Sequence, residues 1–78
     1  MEKDLLGRIV IDQNVCHGKP IVRGLRYPVE SVLEWLSSGM TFQEILSDYP
    51  DLEENDLKAC LLFAARLIKV KNIYQVTG

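Results

Sequence analysis

The stretch from His17 to Val29, His-Gly-Lys-Pro-Ile-Val-Arg-Gly-Leu-Arg-Tyr-Pro-Val, constrains this chain more than any other segment. It holds two of the five glycines and two of the three prolines, and it ends where the first helical pattern begins. Glycine admits positive φ and close approach, while proline fixes φ and removes an N–H donor, so their interleaving specifies a shaped loop rather than a helix. Lys19, Arg23 and Arg26, three of the nine basic residues, ride on that loop. The fold must therefore accommodate a rigid, positively charged turn system ahead of its helices.

Upstream, Arg8-Ile9-Val10-Ile11-Asp12 is a β-branched run bounded by Gly7 and by Asp12-Gln13-Asn14, which reads as a strand entering a turn. Lys19-Pro20-Ile21-Val22-Arg23 is a second extended run closed by Gly24, and Leu25-Arg26-Tyr27 reads as a third. Pairing of the first two across Gln13 to Gly18 gives a small antiparallel ribbon, with Pro20 at an edge or strand-start position.

Downstream, Pro28 suits a first helical turn, and Val29, Val32, Leu33 and Leu36 follow the i, i+3, i+4, i+7 spacing of one apolar face. Gly39 closes that helix after Ser38. Thr41-Phe42-Gln43-Glu44 is a capping-box sequence, flanked by Met40 and Ile45 in hydrophobic-staple positions, and it starts a second helix. Pro50 stops that helix at Asp48 or Tyr49. A third helix opens on Glu53, Glu54, Asn55 and Asp56, acids that complement its positive dipole end. Its apolar stripe is Leu57, Cys60, Leu61, Ala64, Leu67 and Ile68, with Ala59, Phe63 and Val70 forming a second strip. Only Lys58, Leu62, Arg66 and Lys69 are then left on an exposed arc. Two apolar faces on one helix imply that the second meets another subunit, making the chain a homodimer, or that Ile73-Tyr74-Gln75-Val76 folds back over it as a final strand. Trp35, at the margin of the first helix's buried face, joins Phe63 and Val70 as the expected partner interface.

At 78 residues the chain is one domain near the lower size limit for unaided folding, which also favours a partner. No apolar run reaches the roughly 18 residues of a membrane span. The acidic amino terminus is unlike a signal peptide, so the expected location is cytoplasmic, with Cys16 and Cys60 as free thiols. Charge is partitioned along the sequence. Residues 1–29 carry five bases against three acids, residues 30–57 carry eight acids and no Lys or Arg, and residues 58–78 carry four bases and no acid. Such asymmetry steers charged partners.

The two short helices joined by Gly39-Met40 have the length and turn of a helix-turn-helix, whose second helix can enter a DNA major groove. Phosphate neutralisation dominates nucleic-acid affinity, so this acidic pair would need cations from Lys19, Arg23 and Arg26. Those three residues have a second reading, as internal partners for the acids of residues 30–57, and the helical pair has one as a purely structural hairpin. Cys16-His17 with Cys60 falls short of the four ligands of a structural zinc site, so neither metal nor cofactor is expected. No orienting acid or charge stabiliser accompanies His17 and Cys16 in a catalytic motif, and the glycine-rich loop lacks P-loop spacing, so the chain is not read as an enzyme.

Arg8-Ile-Val-Ile-Asp12, Val15-Cys-His-Gly-Lys-Pro-Ile-Val-Arg-Gly-Leu-Arg26, Pro28-Val29, Gly39-Met40, Glu44-Ile-Leu46, Asp48-Tyr-Pro-Asp-Leu52 and Ala64-Ala65 together resemble the domain of unknown function 433 family. The likeness runs from about Arg8 to Ala65, and departs from the family pattern at Leu25, where a Thr is usual, and at Tyr27, where an aliphatic residue is usual. It implies a helix-turn-helix-related fold. It also implies an antitoxin of a prokaryotic toxin-antitoxin pair, binding operator DNA and neutralising a PIN-like nuclease.

The expectation is therefore an α+β, mainly α domain. A β ribbon and basic loop over residues 8–27 precede three helices over 28–71, helix-turn-helix-like or winged-helix-like, with a short extension over 72–78. If it binds DNA, Lys19, Arg23 and Arg26 contact phosphate, with Thr41 and Gln43 nearest base edges. The competing expectation is a pure protein-interaction module whose acidic segment docks on a basic surface.

Overall fold

The computed structural model describes the backbone of residues 2–71 and the side chains of residues 4–69. Among the described residues the helices and strands are, in order, α1 (Glu2–Leu6), β1 (Ile9–Ile11), β2 (Pro20–Val22), α2 (Val29–Ser37), α3 (Phe42–Asp48) and α4 (Glu54–Lys71), with a single tight turn at Cys16–Gly18 between the strands. The fold is α+β and mainly helical, as expected. The two strands pair antiparallel with Ile9 opposite Val22, Val10 opposite Ile21 and Ile11 opposite Pro20. Ile21 and Val22 of the second strand are both buried, whereas Ile11, at the end closed by the loop of residues 12–19, is 61% exposed.

Each helix end on the α2–α3 hairpin has a local cause. Gly39 takes φ +103, and the amides of Gly39 and Met40 donate back to the carbonyls of Leu36 and Trp35, a Schellman closure of α2. The Thr41 hydroxyl accepts from the Glu44 amide at 3.1 Å while Glu44 Oε1 accepts from the Thr41 amide at 2.8 Å, so the capping box forms as read. Tyr49, ahead of Pro50, leaves the helix with φ −128 and ψ 77. These caps hold Val29, Val32 and Ile45 against Val22, Leu52, Leu57 and Cys60, which form the core under α4.

Three features depart from expectation. The helix α1, packed on α4, had no sequence signal, because five residues cannot form a helix in isolation and this one depends on its neighbour. Leu25-Arg26-Tyr27 is not a strand. The Val22 amide donates to the Tyr27 carbonyl at 3.0 Å and the Leu25 amide to the Val22 carbonyl at 2.9 Å, closing a tight turn that leaves a single bridge between Ile21 and Pro28. The buried face of α4 is also rotated: Asp56 and Ala59 join Leu57 and Cys60 inside, while Leu61, Leu67 and Ile68, assigned to the buried stripe, are 45%, 45% and 46% exposed. The proposed final strand Ile73–Val76 lies outside the described residues. No helix among those described is long and apolar enough to cross a membrane.

Candidate functional site

Among the described residues, non-glycine positions with positive φ are confined to the loops around β2: Cys16 (φ 51), His17 (φ 58), Arg23 (φ 48) and Arg26 (φ 65). Left-handed backbone at a side-chain-bearing residue costs about 1–2 kcal/mol, so four instances within eleven positions mark a segment held in shape by its surroundings. Cys16, His17 and Gly18 form one left-handed turn, in which the Gly18 amide donates to the Val15 carbonyl and the Lys19 amide to the Cys16 carbonyl, both at 3.1 Å. The Cys16 thiol reaches the Arg26 carbonyl at 3.7 Å and ties this turn to the next. The Gln13 side chain lies over Gly18 at 3.1 Å from where a Cβ would stand, which together with φ +80 makes a larger residue strained there.

The left-handed conformation at Arg23 aims its guanidinium at the start of α4. Nε donates to Asp56 Oδ1 at 3.0 Å, and Nη2 to Asp56 Oδ2 at 2.7 Å and to the Asp51 carbonyl at 3.0 Å. Arg8 Nη1 reaches the same carboxylate at 2.9 Å and Glu53 Oε1 at 2.8 Å, and the Glu53 amide donates to Asp56 Oδ2 at 2.8 Å. Asp56 is the only charged residue buried among those described, and it is fully satisfied. Burial raises its pKa, but hydrogen bonds from Arg23, the Glu53 amide and Arg8 outweigh that and hold the carboxyl below its ordinary value. One turn further, burial and the charge of Asp56 push the Cys60 thiol up to about 12, so it is neutral at physiological pH.

The cations expected to meet phosphate are thus distributed differently. Arg23 closes the clamp. Lys19 pairs with Glu30 at 2.6 Å, both side chains being more than half exposed, and this hydrogen bond raises its pKa. These are the internal pairings open on the sequence reading. Arg26 is exposed and makes no ion pair among the described residues. The Thr41 hydroxyl is engaged in the cap of α3, while Gln43, Ser47 and Asp48 are exposed along a shallow polar groove. No basic residue lies on α2 or α3.

The expected interface residues also separate. Trp35 stacks on Tyr49 with ring centroids 4.2 Å apart and planes 6° apart, and Tyr27 meets both edge-on. The departure at Tyr27 thereby gains a physical role, closing a three-ring cluster that fastens the loop to α2 and to the end of α3. Phe63 packs against the periphery of the core and lines an apolar groove between α2 and α4. The Val70 side chain lies outside the described residues.

Sequence reasoning missed Asp56, because an acid at the start of a helix is ordinarily solvated; its one signal was the pair of arginines flanking the ribbon. Among the described residues no three His, Cys, Asp or Glu side chains gather as metal ligands.

A family model described as "Protein of unknown function (DUF433)" matches residues 9–64. The crystal structure of a DUF433 member protein from Anabaena variabilis ATCC 29413 superposes with a TM-score of 0.74 at 30% sequence identity, covering 82% of this chain and 63% of that one. The chain therefore spans less than two thirds of that relative's length. No curated protein matches.

Proposed function

The chain belongs to the DUF433 family, and from that premise we propose that it is an antitoxin-like interaction module whose acidic helical hairpin docks on a basic protein surface, such as the nucleic-acid groove of a PIN-like nuclease. The observation carrying this reading is where the charges are spent. Arg8, Arg23 and Lys19 are occupied by acids of the same fold, while α2, α3 and the segment leading to α4 expose Glu34, Glu44, Asp48 and Asp51 without one Lys or Arg. An anionic face of this kind repels phosphate and complements a cationic groove. Its capped, proline-stopped hairpin is preorganised, which lowers the entropy lost on docking.

Operator DNA is the second reading, favoured by one observation: Arg26 is exposed, pairs with no acid among the described residues, and stands on a turn tied by the Cys16 thiol. Co-expression with the product of the adjacent gene, followed by pull-down and by titration against upstream DNA, separates the two. The docking reading expects a stable, salt-sensitive complex that Asp48→Lys with Asp51→Lys abolishes, and DNA affinity no greater than background at low salt. A salt-dependent DNA complex weakened by Arg26→Ala, without capture of the neighbouring protein, would replace it with the operator reading.

A further inference from the structure

We propose that the groove between α2 and the C-terminal half of α4 is a self-association surface, filled by the C-terminal half of α4 from a second copy of this chain. The groove encloses about 210 Å³ and its floor is apolar, with Pro20 at one end, Val29 and Leu33 from α2, and Phe63, Ala64 and Leu67 from α4. Of the five large hydrophobic side chains left exposed among the described residues, three, Leu61, Leu67 and Ile68, lie within eight positions of α4. A concentration of that kind is the ordinary mark of a protein contact rather than scattered surface apolarity.

Charge selects the occupant. From Phe63 to Lys71, α4 carries Arg66, Lys69 and Lys71 and no acid, while α2 carries Glu30 and Glu34 and no base. Glu30 lines the groove, where Lys19 pairs with it, and Glu34 stands one turn further along α2, its charge felt at Lys19. Against the single charge of Lys19, Glu30 and Glu34 leave this side of α2 net negative, which suits an apolar helix flanked by cations, and this chain supplies both groove and helix. A two-fold arrangement satisfies the match twice, each copy's α4 lying against the other copy's α2, so the contact closes on itself instead of propagating. The groove shares no lining residue with the polar groove along α3, Glu34 alone figures in both surfaces, and the inference does not rest on the docking reading.

Sedimentation velocity on the full chain from micromolar to millimolar concentration tests it. The expected result is a dimer that weakens as salt is raised. Leu67→Glu with Ile68→Glu should yield a monomer with unchanged helical circular dichroism, because both side chains are half-exposed and outside the core. The decisive arm reverses each side in turn. Glu30→Lys with Glu34→Lys in one chain, and Lys69→Glu with Lys71→Glu in another, should each weaken self-association by roughly tenfold or more, and mixing the two should restore dimers, because both contacts of the mixed pair are again complementary. A wild-type chain that stays monomeric at millimolar concentration overturns the proposal, as it would if residues 72–78 of the same chain filled the groove. So does a dimer that neither set of variants weakens.

Discussion

The two ends of α4 invert the usual assignment of residue types to environments. At its start a carboxylate, Asp56, is fully buried between two arginines, while from mid-helix onward Leu61, Leu67 and Ile68 stand nearly half exposed. The difference teaches that burial along this helix is decided by what packs against each turn. The first turns are enclosed by α1, the β ribbon and the Arg23 turn, and only a charge with every oxygen satisfied is tolerable there. The later turns lie outside the buried core cluster, and there Leu61 and Ile68 remain nearly half exposed.

Removing the clamp is the most damaging way to test that contrast. Asp56→Ala leaves Arg8 and Arg23 facing each other without their shared anion and frees the Arg23 turn from its anchor, and is expected to cost about 3 kcal/mol in urea unfolding. A loss below about 1 kcal/mol would mean that the clamp decorates the fold rather than holding it. Leucine truncation then compares the two halves directly. Leu57→Ala, in the core, should cost about 3 kcal/mol, whereas Leu67→Ala should cost under about 1 kcal/mol at protein concentrations too dilute for self-association. Equal losses would erase the distinction.

Titration gives a smaller and more specific effect. The folded-state pKa of Asp56 lies below its ordinary value of 3.8, so the unfolded chain binds that proton first as pH falls. The clamp's contribution is therefore complete above about pH 4 and is lost as pH drops through the lower, folded-state value. The urea midpoint should decline across that acid window, and the part of the decline owed to this carboxyl should disappear in Asp56→Asn.

How much of this was readable in the chain depended on the distance over which each cause acts. The capping box at Thr41 and Glu44, the stop before Pro50 and the closure at Gly39 are visible in sequence because each follows from residues a few positions apart, and the pairing of Ile9–Ile11 with Pro20–Val22 because one short loop joins the two runs. The candidate surfaces were legible only in part. The acid run of residues 30–57 and the basic loop stood out, and internal pairing was an open reading for the cations. Which cation took which acid was not, since Arg8 and Asp56 are 48 positions apart and Arg23 and Asp56 are 33 apart. The left-handed backbone at Cys16, His17, Arg23 and Arg26 was equally hidden, as none of these residues prefers it without surrounding contacts to enforce it.

The sequence by itself determined the order of elements, their caps, the shaped basic loop and the three-part distribution of charge, because propensity, turn chemistry and ionisation are properties of short segments. Only the tertiary structure decided which face of α4 turned inward, that the terminal five-residue helix would form, that Tyr27, Trp35 and Tyr49 would share one cluster, and that Lys19 and Arg23 would be neutralised within the fold. Each of those depends on side chains brought together from distant positions, where the free energy of burying one group is set by what another segment places beside it.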